Sequence, residues 1–237
     1  MADSLQVFDE SWNRALAIVA HPDDMEYGSA SAVARWTSQG KDVRYLLVTK
    51  GEAGIASMPP DEVAPLRMEE QRRSCAIVGV SDLTFLDHPD GLVVADLALR
   101  GDLAQAIRAH KPDVVLSINH RDGWGPGSWN HADHRAVGEA VLDAIRDAGN
   151  PWVFTERGEA WDGVRFAATG SSPTSTHAVD ITGHLETGIE SLLAHEAYLA
   201  NLGGDMADAG NYLREAAIAS GSSIGVELAT TFEVIGF

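Results

Sequence analysis

The 237-residue chain has one cysteine, Cys75. No internal disulfide can form and metal sites built on several thiolates are excluded, so any metal must sit on His, Asp or Glu. Cys75 stands in the apolar run Cys75-Ala76-Ile77-Val78 and reads as a small core residue rather than a nucleophile. Basic residues are also scarce, 17 Lys and Arg against 35 Asp and Glu, for a formal net charge of −18. Phosphate backbones would be repelled, which argues against a nucleic-acid partner, and the plainest use of the charge is solubility. No apolar run reaches the length needed to cross a bilayer. Met1 to Ser11 is polar and acidic, without the basic start and apolar stretch of a signal peptide. The expectation is a cytoplasmic protein with no membrane partner.

The remaining composition is ordinary for a globular chain, with 45% hydrophobic and 22% charged residues. Strand and helix patterns alternate. Ala15 to Ala20 and Asp113 to Ile118 are apolar runs of buried-strand length, and Val43 to Thr49 and Leu83 to Leu86 read as further strands. Helical spacing covers Gly28 to Gln39, Glu62 to Val78, Leu97 to His110 and His134 to Ala148. Lys50 to Asp61 and Asn119 to Asn130 carry Gly and Pro and read as loops. Strands alternating with helices predict parallel pairing with right-handed crossovers. The fold class is α/β, a Rossmann-like doubly wound, mostly parallel sheet over about residues 14–150.

Beyond residue 150 the pattern changes. Phe154 to Thr155, Val164 to Ala168, Thr176 to Ile181 and Val226 to Ile235 read as strands, and Leu185 to Leu202 and Met206 to Ser220 as helices. This predicts a small C-terminal α+β lobe, 151–237, packed on the sheet within one domain spanning 1–237.

Two polar clusters carry the chemistry. His21-Pro22-Asp23-Asp24-Met25-Glu26 follows the first strand directly, and Asn130-His131-Ala132-Asp133-His134 ends the loop after Asp113 to Ile118. Both fall at carboxyl ends of predicted parallel strands, where open α/β sheets form their ligand crevices. Ionisable groups at the end of a buried strand carry a desolvation cost that a divalent cation would offset. Zinc accepts imidazole and carboxylate, and a catalytic zinc keeps three protein ligands and a water. One of the adjacent aspartates could bind metal while the other faces that water. His131 and His134, three positions apart, could share one side of a helix start. Asp133 could fix an imidazole tautomer. Singly, each feature has a plainer explanation: Asp-Asp after a strand also caps helices, and a His beside Pro is often a turn residue. Together they point to a catalytic metal site.

The same residues carry a resemblance. Ala20-His21-Pro22-Asp23-Asp24-Met25-Glu26 and His131-Ala132-Asp133-His134 resemble the two signatures, A-H-P-D-D-x-E and H-P-D-H, of the PIG-L/LmbE-like de-N-acetylase family, with Ala132 in place of the second motif's Pro. Thr49-Lys50-Gly51-Glu52 resembles the family's T-x-G-E, and Arg67 to Val80 its R-x-x-E helix. The resemblance covers about residues 14–148 and is looser beyond. It implies a hydrolase that removes an N-acetyl group from a small molecule, an amino sugar first of all, with one Zn2+ per chain and other divalent metals able to fit. His21, Asp24 and His134 would be the metal ligands and Asp23 the general base. His131 would stabilise the oxyanion or protonate the leaving amine, and Asp133 would orient His131. Arg67 matches a family Arg that reaches the substrate, against the plainer reading of a solvated helix arginine, and Glu52, in a glycine-bearing loop near the first cluster, could also contact substrate.

Trp124 and Trp129 stand on the loop before the second motif, where aromatics could stack on a sugar ring or simply cover a core. The other histidines read as structural, with His120 closest to the site. A homo-oligomer fits, since some members of the family associate. The close alternative is an amidase for a larger conjugate such as a thiol S-conjugate. A two-metal phosphoesterase and a non-enzymatic metal- or sugar-binding module are more distant. One zinc per chain would separate the amide hydrolase from the phosphoesterase, and a base beside the ligands argues against pure binding.

Overall fold

The computed structural model describes residues 5–202 and 208–237. The β-rich runs become β1 (Gln6–Val7), β2 (Arg14–Val19), β3 (Asp42–Leu47), β4 (Leu83–Phe85), β5 (Val114–Ile118), β6 (Phe166–Gly170), β7 (His177–Asp180) and β8 (Ala229–Gly236). The helices are α1 (Ala30–Ser38), α2 (Pro60–Ile77), α3 (Leu97–His110), α4 (Ala132–Gly149), α5 (Leu185–Leu193), α6 (Glu196–Asn201) and α7 (Ala209–Gly221). All eight strands join one sheet in the order β1-β7-β8-β6-β5-β2-β3-β4. β2, β3, β4, β5 and β6 are mutually parallel, whereas β8 runs antiparallel between β6 and β7.

Why the central strands are continuously apolar is plain from what they touch. Ala15, Ala17 and Val19 of β2 enter a core with Val33 and Trp36 of α1 and Ile189 of α5, while Leu16 and Ile18 enter another with Leu103 and Ile107 of α3 and Val137 and Val141 of α4. Side chains alternate between faces, and both faces are covered, so neither set of positions can be polar. β2 continues through α1 to β3 on one side, and β5 continues through α4 to β6 on the other. The order of strands therefore reverses between β2 and β5, and a crevice opens at their carboxyl ends. Both polar clusters lie there.

The C-terminal lobe does not stand apart: β6, β7 and β8 extend the same sheet, and α5 packs against α1, α2 and α7. Three local expectations change. Phe154 and Thr155 are not a strand. Residues 147–158 wrap around the buried Arg108 guanidinium, which donates to the carbonyls of Asp147, Ala148, Asn150, Val153 and Phe154, and Phe154 takes φ +47. The helix expected over Leu185 to Leu202 breaks at Ala194–His195, because buried Glu70 of α2 captures the amide of Ala197 at 2.6 Å and starts α6 afresh. α2 begins at Pro60 rather than Glu62, a first-turn position where the missing proline N–H costs nothing. Of the helix expected from Met206, residues 209–221 are helical, and Met206 itself lies outside the described residues. Among the described residues no helix is long and apolar enough to cross a membrane.

Candidate active site

At the end of β2 the chain turns back on itself through a carboxylate. Asp24 Oδ2 accepts the backbone N–H groups of Ala20 (2.9 Å) and His21 (2.8 Å), two donors that the sheet leaves unmatched. Oδ1 is thereby aimed away from the sheet. It meets His134 Nε2 at 3.0 Å and lies 3.6 Å from His21 Nδ1, and the two ring nitrogens are 3.1 Å apart. His134 reaches this point from the first turn of α4.

The partners of the opposite ring atoms fix the tautomers. Asn130 donates its Nδ2 to the carbonyls of Asn119 (2.7 Å) and Arg121 (2.9 Å), so its Oδ1 is the atom 3.0 Å from His134 Nδ1. Nδ1 must carry the proton there, and Nε2 presents a lone pair. His21 Nε2 lies between Asp90 Oδ1 (3.1 Å) and Asp133 Oδ2 (3.2 Å), so it is the protonated nitrogen, and Nδ1 faces Asp24 and His134. With both rings neutral, three electron-rich atoms thus converge with no donor among them. Burial alone would lower the His21 pKa, yet the Asp24 charge and the bonds to Asp133, Asp24 and Asp90 raise it well above the usual imidazole range. The point demands a cation. A tetrahedral metal with ligands at about 2.0–2.1 Å would separate them by about 3.3 Å, and the observed 3.0, 3.1 and 3.6 Å fit. His21, Asp24 and His134 could therefore hold a metal. His21, His131 and Asp133 also approach one another, but both Asp133 oxygens accept backbone N–H groups, from Gly91 (2.7 Å) and Val93 (3.2 Å).

Asp23 is held from three sides. Its backbone sits at φ +87, a region costly to a residue with a side chain. Its N–H donates to Gln71 Oε1 at 3.0 Å, and its Oδ1 accepts from Arg67 Nη2 at 3.1 Å. Burial, opposed by Arg67 and reinforced by the neighbouring Asp24 charge, raises its pKa to about 7. Arg67 is itself buried. It donates to Pro22 O (2.6 Å) and Gly51 O (3.3 Å), and its guanidinium carbon lies 3.8 Å from the centre of the Tyr198 ring. Gly51 (φ +67) leaves it room: a Cβ there would fall 2.4 Å from Arg67 Nη1 and 2.9 Å from Pro22 Cδ.

His131 caps α4, its Nδ1 accepting the Asp133 N–H at 3.2 Å. A neutral His131 therefore carries its proton on Nε2. Burial, and repulsion from any positive charge on His21 or His134, lower its pKa, which favours that neutral form. Asp133 meets His131 through its backbone N–H and not, as expected, through its carboxylate. Its carboxylate faces His21 and the 91–93 backbone, because the side chain at the second helical position points back toward β2. Glu52 is not a wall of the cavity either. It accepts from the amides of Lys50 (3.2 Å) and Asp90 (2.9 Å), pinning the loop that carries Asp90 against the one that carries Gly51.

These groups line a cavity of about 470 Å³. Its wall includes His21, Asp23, Asp24, Arg67, His131 and His134, along with Asp90, Trp124, Tyr27, Ser171, Tyr198 and Tyr212. Trp124 stands edge-on to His134 at 5.7 Å, whereas Trp129 is 70% exposed and stacks on Arg135 instead. The C-terminal region thus completes the site through Ser171, Tyr198 and Tyr212. His120 lies outside the wall, and fully buried His195 has no hydrogen-bond partner for either ring nitrogen among the described residues. Burial, with the Arg67 and Arg73 charges, lowers the His195 pKa to about 3, so it is a neutral core group. Sequence reasoning missed Asp90, whose His88-Pro89-Asp90-Gly91 context reads only as a turn, and the anchoring roles of Asn130 and Gln71.

The chain is similar to known proteins. Residues 16–145 match the model of the PIG-L family, described as GlcNAc-PI de-N-acetylase. Diacetylchitobiose deacetylase of Thermococcus kodakarensis is 31% identical over 189 residues, covering 78% of this chain and 69% of that one. The 1D-myo-inositol 2-acetamido-2-deoxy-alpha-D-glucopyranoside deacetylase of Kineococcus radiotolerans is 30% identical over 175 residues, covering 60% of this chain and 47% of that one, so the chain spans about half the length of that relative. The solved N,N'-diacetylchitobiose deacetylase from Pyrococcus horikoshii superposes with a TM-score of 0.85 over 96% of this chain and 85% of that one, at 24% identity, which shows a shared fold. The matched segment holds both polar clusters and covers more than half of the sequence, and the chain belongs to the PIG-L family of GlcNAc-PI de-N-acetylases.

Proposed function

We propose that the protein is a zinc-dependent deacetylase that hydrolyses the N-acetyl group of a small molecule containing an amino sugar. The observation that carries the proposal is the convergence of His21 Nδ1, Asp24 Oδ1 and His134 Nε2 on one point of a cavity wall that also holds Asp23 and His131. Membership of the family supports the reaction class, and the two curated relatives named above are deacetylases of acetylated sugars by description. That favours deacetylation over cleavage of a larger amide conjugate.

His21, Asp24 and His134 would hold the zinc, which when bound supplies a Lewis acid that polarises the acetamide carbonyl and brings the pKa of water toward about 7. Asp90 and Asp133 place the proton of the neutral His21 ring on Nε2 and leave Nδ1 to face the metal, and Asn130 places that of the neutral His134 ring on Nδ1 and leaves Nε2. Asp23, whose carboxylate is held in the cavity wall by Arg67, takes a proton from the attacking water and returns it to the sugar nitrogen as the C–N bond breaks. His131 Nε2–H donates to the oxyanion that the acetyl oxygen becomes. Water adds to the carbonyl carbon, and the products are acetate and the free amine. Trp124 and Tyr212 offer aromatic faces to a sugar ring on the cavity wall.

The test is amine release from N-acetylglucosamine, its glycosides and diacetylchitobiose by zinc-loaded protein. Metal-dependent release from at least one acetylated sugar is expected. No release from any of them, with one zinc bound per chain, would move the assignment to a different amide.

A further inference from the structure

We infer that Gln71 of α2 is a positioning residue for Asp23, holding the turn in the conformation that aims the Asp23 carboxylate into the cavity. The inference rests on Asp23 being the proton acceptor. Gln71 is 1% exposed and lies one helical turn beyond Arg67. Its side-chain amide can face only one way. Nε2 donates to Glu26 Oε1 at 2.9 Å, which also accepts Ser74 Oγ at 2.7 Å, and a carboxylate oxygen held by these donors would repel the amide oxygen. Oε1 is therefore directed at the Asp23 N–H, 3.0 Å away.

That bond matters because of the backbone it restrains. Asp23 is at φ +87, and its N–H points into protein rather than solvent. Without an acceptor the peptide would keep both an unfavourable torsion and an unmatched buried donor, and rotating the peptide relieves both. Rotation would swing the carboxylate away from Arg67 Nη2, although Asp24, anchored separately to the Ala20 and His21 amides, would stay in place. Arg67 thus fixes the Asp23 carboxylate and Gln71 its backbone, whereas the Asp24 carboxylate is anchored by the Ala20 and His21 amides.

The experiment compares wild type with Gln71→Met, which keeps the side-chain length but lacks both polar atoms, and with the exchanged pair Glu26→Gln/Gln71→Glu, which restores a donor to residue 71 and an acceptor for the Asp23 amide. On the best acetylated sugar of the panel, Gln71→Met is expected to lose about a hundredfold in kcat, the scale of an ångström-sized misplacement. KM and zinc content should be unchanged, and the exchanged pair should recover most of the loss. The inference is overturned if folded Gln71→Met keeps kcat within about threefold of wild type, or if its loss merely follows the fraction unfolded or the zinc lost. Should Gln71→Met fail to fold, the exchanged pair decides: near wild-type kcat supports the inference, and a folded but inactive pair overturns it. Asp23→Ala is run alongside, and full activity there would sink the reading of Asp23 itself rather than the role of Gln71.

Discussion

Replacing Gly51 by alanine should damage stability and activity together, and the size of the effect follows from what surrounds the residue. At φ +67 any side chain is strained, at a cost of about 1–2 kcal/mol. The new methyl would also lie 2.4 Å from Arg67 Nη1 and 2.9 Å from both Arg67 Cζ and Pro22 Cδ. An arginine terminus on the surface would swing aside. This one cannot, because it is buried and tied to Pro22 O and Asp23 and stacked on Tyr198. Pro22 is a ring with fixed φ. Relief must come from moving the Asp23–Arg67 pair, and overpacking of this kind costs about 1–3 kcal/mol more. Gly40 supplies the control: φ +83 and, among the described residues other than its two chain neighbours, no atom within 4 Å of the added methyl, so Gly40→Ala measures the torsion alone. Urea unfolding should show Gly51→Ala destabilised by about 2–5 kcal/mol and Gly40→Ala by about 1–2 kcal/mol, with kcat reduced only in the first. Equal destabilisation of the two variants, or a Gly51→Ala enzyme with wild-type kcat, would refute the claim that Gly51 makes room for a fixed Arg67.

Asn130→Leu removes the acceptor that places the proton of the neutral His134 ring on Nδ1, and zinc affinity should fall about 10–100-fold by competition with a chelating dye; unchanged affinity would contradict the tautomer assignment. Trp124→Ala should raise KM for an acetylated sugar and Trp129→Ala should not, because only Trp124 lines the cavity, so matching KM values in the two variants would count against sugar stacking. Glu233 gives a pH-dependent term. Burial would raise its pKa, but hydrogen bonds from Arg121, Ser172 and Thr174 lower it to about 2 from an ordinary 4.5. Its stabilisation is therefore complete above about 4.5 and is lost as pH falls toward about 2. The stability gap between wild type and Glu233→Gln, about 1–2 kcal/mol near neutrality given the half-exposed Arg121, should close over that range, and a gap constant with pH would contradict the network.

That His21, Asp24 and His134 would come together was legible because each stands beside an apolar run whose length and flanks mark a parallel strand or the helix after it. The strands place them, and the motif needs no long-range information. Asp90 and Gln71 were not legible. Asp90 matters only because its loop folds over His21, and Gln71 only because one turn of α2 passes beneath the Asp23 turn. The same limit explains why the imidazole that the Asp133 carboxylate meets is His21, more than a hundred positions away, and not its motif neighbour His131. The break at His195 was hidden because apolar spacing continues through it, and the Glu70 carboxylate that caps α6 belongs to another helix. In Phe154–Thr155, β-favouring residues gave way to the carbonyl demand of a buried arginine.

The central claim is that Asp23 moves the proton while His21, Asp24 and His134 hold the metal. Amine release by wild type and Asp23→Ala, each with its zinc content determined, tests it most directly. The account predicts one zinc per chain in both proteins and a kcat about 10²–10⁴-fold lower in the variant. An Asp23→Ala protein that has lost its zinc, or one that keeps wild-type kcat, would contradict it.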